Sequence, residues 1–144
     1  MKINIKKGIL AGILGTVAIT IVATFGAPMM GLPKMDIAGM LAGVMGGSVT
    51  LGWVAHFMIG TVLAFGYTFF SDRLPGPAII RGALYGIAPW LMAQIVVMPM
   101  MGMGFFSGAV APAMGSLIGH LVYGAVVGVV YATPTAASCS SCNS

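Results

Sequence analysis

Residues 8–30 read GILAGILGTVAITIVATFGAPMM, 23 positions without a single charged side chain. About 20 helical residues cross a ~30 Å hydrocarbon core, so this stretch is long enough to span a bilayer. Three more apolar stretches follow, Val49–Phe70, Ile79–Met101, with Arg81 near its start, and Ala113–Tyr131. None shows strand-like alternation. A chain in lipid must satisfy its backbone polar groups internally, which leaves helices or closed barrels. The pattern predicts an all-α, polytopic transmembrane four-helix bundle.

The rest of the composition agrees. Of 144 residues, 59% are hydrophobic and 6% charged, whereas a soluble domain carries about 25% charged residues to solvate its surface. A water-facing globule is therefore excluded. The formal charge of +4 would suggest nucleic acid in a soluble protein. Here the basic residues sit at segment ends, so no nucleic-acid partner is expected and the solvent is the lipid bilayer. Lys2, Lys6 and Lys7 precede the first stretch, and Arg73 and Arg81 flank the link between the second and third. Lys34 stands alone in the first external loop. The positive-inside rule then puts both termini in the cytoplasm of a multi-pass protein. The opening MKINIKK could begin a secretory signal, but the apolar run is longer than an h-region and no A-x-A site follows, so an uncleaved helix is expected.

The first external loop, residues 31–48, reads GLPKMDIAGMLAGVMGGS. Pro33 stops the first helix, Asp36 can cap a new one, and Ile37, Met40, Leu41 and Val44 recur at helical spacing. A short interfacial helix is predicted there. Residues 132–144 form a small, polar tail expected to be disordered. Its Cys139 and Cys142 make a C-x-x-C with no surrounding βαβ pattern and no second pair for zinc, so they carry no assigned role.

The chain also repeats itself. Lys7-Gly8-Ile9-Leu10-Ala11-Gly12-Ile13 aligns with Arg81-Gly82-Ala83-Leu84-Tyr85-Gly86-Ile87, and Pro28-Met29-Met30-Gly31 with Pro99-Met100-Met101-Gly102. Gly52, His56 and Gly60 align with Ser116, His120 and Gly124, and Tyr67 with Tyr131. The blocks keep their order while their offset drifts. A single transmembrane domain over residues 1–131 is expected, built from two tandem parallel helical hairpins at about 7–70 and 79–131. Copies that each cross twice are related by an axis along the membrane normal. Glycines at four-residue spacing make close-contact seams, a glycine zipper. The faces Gly52-His56-Gly60-Ala64 and Ser116-His120-Gly124-Gly128 are expected to pack against each other near that axis.

That packing would bring the two histidines of the chain together at one depth. Ionisable residues inside a membrane are costly and mark functional sites. Two imidazoles, flanked by Gly52, Gly60, Ser116 and Gly124, could ligate a b-type haem, because missing side chains leave room for a flat macrocycle. They could equally hold a metal ion or relay protons. The plainer alternative is that each neutral ring donates to a carbonyl, a hydroxyl or Gln94 on a neighbouring helix. Thirteen methionines, including MPMMGMGFF at 98–106, suggest soft-metal chemistry such as Cu(I), but Met also serves as flexible packing. Pro89 is expected to bend the third helix, which can line a cavity. Trp53 reads as an interfacial anchor and Trp90 as packed between helices. Walker, Rossmann, Ser-x-x-Lys and HExxH patterns are absent and the two acids, Asp36 and Asp72, lie in loops, so no catalytic residue is assigned and no enzyme is expected.

The motifs G-L-P-K-M-D, G-W-x-x-H-F-x-x-G, R-G-A-x-Y-G, P-M-x-G-x-G-F-F and G-H-L-V-Y-G span Lys7 to Tyr131. In this combination the chain resembles a family of small prokaryotic four-helix inner-membrane proteins with no assigned activity. The resemblance implies a prokaryotic cytoplasmic membrane and the four-helix architecture. From the residues come three functional expectations: a packing or accessory subunit, acting as a homo-oligomer or with other membrane subunits; haem or metal binding in electron transfer through His56 and His120; and a small-solute or ion carrier.

Overall fold

The computed structural model describes residues 4–133, which form five helices: α1 Ile5–Met29, α2 Ile37–Val44, α3 Val49–Phe70, α4 Ala78–Met100 and α5 Val110–Ala132. All but α2 are long and apolar enough to cross a membrane, and side chains such as Phe25, Met58, Val62 and Ile80 stand exposed on their outer surfaces. The molecule is built as a membrane protein. Residues 134–144, with the tail's two cysteines, lie outside the described residues, as do residues 1–3.

Local chemistry sets the helix ends. Asn4 accepts the Lys7 N–H at 3.2 Å, so α1 starts at Ile5, ahead of the expected Gly8. Asp36 caps α2 by accepting the Gly39 N–H at 2.9 Å. Helix α5 starts at Val110 rather than Ala113, because Pro112 falls in the first turn, where an N–H has no intrahelical partner to lose.

The helices α1 and α4 end alike. Each widens into a π turn, Val22–Gly26 and Ala93–Val97, just before Pro28 and Pro99. The N–H groups of Ala27 and Met98 reach back five residues, to Val22 and Ala93. Each then closes on a left-handed glycine, Gly31 and Gly102, both at φ +76°. Leu32 N–H bonds to Ala27 O at 2.9 Å and Met103 N–H to Met98 O at 3.0 Å, the 6→1 bond of a Schellman cap. Gly31, not Pro33, stops α1.

The four long helices run in the spatial order α3, α1, α5, α4. A methyl added at Gly12 would come within 2.6 Å of Thr61 Cα, so α1 and α3 touch backbone to backbone. Gly82 lies directly on the Gly124 backbone and Gly86 on that of His120, joining α4 to α5. Gly15 sits under Tyr123 and Val127, joining α1 to α5. The expected seam between α3 and α5 does not form. Their link is the Tyr123 hydroxyl, which donates to the Gly60 carbonyl. The physical reason is that each small-residue face finds a flat partner in the first helix of its own hairpin, while the buried Tyr123 ring stands as a spacer between α3 and α5.

The order of helices leaves one seam open. Helices α3 and α4 meet near the end where α1 begins: Tyr85 donates to Leu63 O at 2.8 Å and stacks edge-on against Tyr67, centroids 5.4 Å apart. Toward the other end, where α1 finishes and α2 lies, they diverge.

Candidate functional site

The wedge between α3 and α4 holds a cavity of about 160 Å³, walled by residues from all five helices. Ile59 and Met92 line it while remaining 45% and 49% exposed, so on the α3–α4 side its wall is also the outer surface of the bundle. Helix α2 closes it at the far end through Ile37, Met40 and Leu41.

Both histidines stand in this wall. Helix α3 buries the face that carries Gly52, His56, Gly60 and Ala64, which turns His56 inward. His120 comes from the opposite wall, on α5. Counted from the first residues of their helices, they lie about 10 and about 15 Å along at the α-helical rise. The shared cavity, rather than a direct α3–α5 seam, brings them together.

Hydrogen bonding fixes which nitrogen of each ring is free. His56 Nε2 lies 3.0 Å from Thr20 Oγ1, and the single proton of that hydroxyl is already given to Thr16 O at 2.7 Å. A neutral His56 therefore donates through Nε2 and keeps its lone pair on Nδ1. His120 Nδ1 lies 2.8 Å from the Ser116 carbonyl, which can only accept. Its proton sits on Nδ1 and its lone pair on Nε2. Gln94 Nε2 is the sealed, unpartnered side-chain nitrogen among the described residues. His56 Nδ1 and His120 Nε2 have no protein partner among the described residues and are not sealed in the same way.

Besides the polar Thr16, Ser116 and Tyr123, the remaining wall is apolar with five thioethers: Met35 from the α1–α2 link, Met40 from α2, Met92 and Met98 from α4, and Met101 just past its end. Among the described residues no group of three or more His, Cys, Asp or Glu could hold a metal.

The flanking residues divide. Gly60 and Ser116 line the cavity. Gly52 is covered by the Ala38 carbonyl of α2, and Gly124 by the backbone of Gly82. The vacancies that would have admitted a macrocycle are filled with helix. The cavity volume leads to the same correction: it matches the ~150 Å³ that holds a benzene and falls short of the ~300–1,000 Å³ of larger cofactor clefts. The residues do not fit a haem.

Other sequence candidates sit elsewhere. Gln94 is fully buried, but Ser107 Oγ bonds its Oε1 at 2.9 Å, in a turn where Phe106 and Ser107 adopt left-handed φ of +52° and +57°. It does not meet either histidine. Trp90 packs between helices as expected, giving its indole N–H to Ala113 O at 3.1 Å and its face to Phe106. Trp53 lies in a second recess with Thr20, Thr24 and Lys34. Pro89 lines the cavity, as its position in the third helix suggested. Thr20 escaped sequence reasoning; the Thr16/Thr20/Thr24 ladder on α1 was the available signal for a hydroxyl facing His56.

No curated protein and no solved structure matches this chain. The model of a family of unknown function, DUF6789, matches residues 3–141, and the chain belongs to that family.

Proposed function

We propose that this protein is a multi-pass protein of a prokaryotic cytoplasmic membrane, with both termini inside, that binds a small ligand within the bilayer through His56 and His120. The observation that carries this reading is the cavity itself: two imidazoles on different helices line it, each with one nitrogen tied to an oxygen. Pockets of this kind, mostly apolar with a few convergent polar groups, are the usual form of small-ligand sites.

The matched π turns and Schellman caps of α1 and α4 support descent of the two hairpins from one. On that reading α1–α5 and α3–α4 are equivalent junctions, one closed and one opened to make the binding site. The alternative of a packing subunit drew on free glycine faces. Those faces meet within the chain, so association with a second copy or another subunit would have to use the exposed lipid-facing surface, and nothing in the geometry selects a patch of it.

The test is binding of 4-fluorophenol, a benzene-sized molecule whose O–H can donate to an imidazole lone pair, followed by ¹⁹F NMR in detergent. Saturable binding is expected. Ala93→Phe, which fills the cavity, is expected to abolish it. Of His56→Leu and His120→Leu, which keep the volume, the one that removes the acceptor of the phenol O–H is expected to weaken it about tenfold, the worth of one hydrogen bond. Absence of saturable binding, or binding indifferent to all three variants, contradicts the proposal.

A further inference from the structure

Resting on that reading, we infer that the ligand of this cavity is a soft monovalent metal ion of the Cu(I) type, held by Nδ1 of His56 and Nε2 of His120 and completed by methionine sulfur.

The donor set points this way. Neutral imidazole and thioether are soft or borderline ligands, and carboxylate, carbonyl and water are the ligands that hard cations require. Asp36, the acid closest in sequence to the cavity wall, is occupied as the α2 cap and does not line the cavity. A divalent ion would bring a charge that no anionic wall residue balances, and the cost of burying charge rises with its square. A monovalent ion on neutral donors keeps that cost lowest.

The second coordination sphere is already built. Metal-ligating histidines donate their other N–H to a fixed oxygen, which sets the tautomer and aims the lone pair. Thr20 Oγ1 does this for His56 and the Ser116 carbonyl for His120. Because the two anchors hold opposite nitrogens, the site is mixed, one ring binding through Nδ1 and the other through Nε2. Neither ring has to lose a proton to bind.

The sulfur is placed by backbone. A π turn inserts one extra residue, which rotates the helix beyond it by about 100° relative to a continuous α-helix. Ala93–Val97 is such a turn, and Met98 and Met101, immediately beyond it, line the cavity. Met98 is buried there. Met40 faces the same space from α2.

The experiment uses the full chain in detergent and chloride-free buffer, labelled with ¹⁵N-histidine and titrated with Ag(I) nitrate as a redox-inert stand-in for Cu(I). At one equivalent, the Nδ1 resonance of His56 and the Nε2 resonance of His120 are expected to move while the other two nitrogens keep their protons. Zn(II) at the same concentration is expected to leave all four unchanged. Met98→Leu and Met40→Leu, which keep the side-chain volume, are expected to weaken Ag(I) binding tenfold or more. Thr20→Val is expected to release His56 from its single tautomer, and Thr20→Ser to retain it. Shifts at the opposite nitrogens, equal binding of Zn(II), or no response to Ag(I) in protein that still binds 4-fluorophenol would overturn the assignment and leave the cavity reading standing. Loss of both responses would overturn the cavity reading as well.

Discussion

The Thr20 hydroxyl has one proton, and it goes to Thr16 O. That leaves Thr20 as an acceptor for His56 and makes a strong demand on the residue. Thr20→Val keeps the shape and removes the acceptor, stranding a buried N–H at a cost of about 1–3 kcal/mol. Thermal unfolding in detergent is expected to show a lower transition for Thr20→Val and recovery for Thr20→Ser; equal transitions for all three would contradict the hydrogen bond. Gln94 offers a paired test. Ser107 is its one partner, so Ser107→Ala orphans the whole amide, whereas Gln94→Leu removes the polar group altogether. The first is expected to destabilise more than the second, because an unsatisfied buried group costs more than an absent one. The reverse order would mean that the amide finds another partner. At this scale the histidines were legible, since ionisable residues in apolar helices are rare enough to notice. Their partners were not: Thr20 is one of many hydroxyls, and Gln94, the partner that chemistry suggested, is held by a turn whose left-handed Phe106 and Ser107 no local pattern announces.

The helices were legible to within three residues at each end, because long apolar stretches without strand-like alternation have one solution in lipid. Their pairing was not. A small-residue stripe states that something packs closely, but not what. It carries no direction, and each hairpin offered its own first helix as a partner. The registers also differ. In the first hairpin Gly12 lies against Gly60 and Thr61, and in the second its counterpart Gly86 lies one turn away, against His120. Such a slip changes no residue type and leaves no trace in the alignment. Glycines in seams and glycines in open space should therefore respond differently. Gly12→Val drives a side chain into Thr61 and is expected to cost about 1–3 kcal/mol or to prevent a monodisperse preparation. Gly43, in α2, has open space beside it. Gly43→Ala is expected to be neutral or to stabilise by up to about 1 kcal/mol through helix propensity. Size-exclusion profiles and unfolding transitions decide; equal behaviour of the two variants would contradict the seam.

For the molecule as a whole, the distribution of Lys and Arg gives an orientation, and the open α3–α4 junction gives an asymmetry. The first is a proposal that rests on a few loop charges. The second was not legible in the sequence, because a gap is made by contacts that fail to form. With Cys139 and Cys142 replaced by Ser, a membrane-impermeant maleimide is expected to label Lys34→Cys in intact cells and to label Arg73→Cys only after lysis. The opposite pattern would invert the protein and place the cavity's α2 end in the cytoplasm.

His56 and His120 are proposed to face one cavity with opposite nitrogens free. Diffraction from crystals soaked in silver nitrate, with anomalous data, addresses this most directly. The expected result is a single strong anomalous peak bonded to His56 Nδ1 and His120 Nε2, with a methionine sulfur completing the site. Silver bound elsewhere, or histidine rings turned so that these nitrogens point away from a common space, would contradict it.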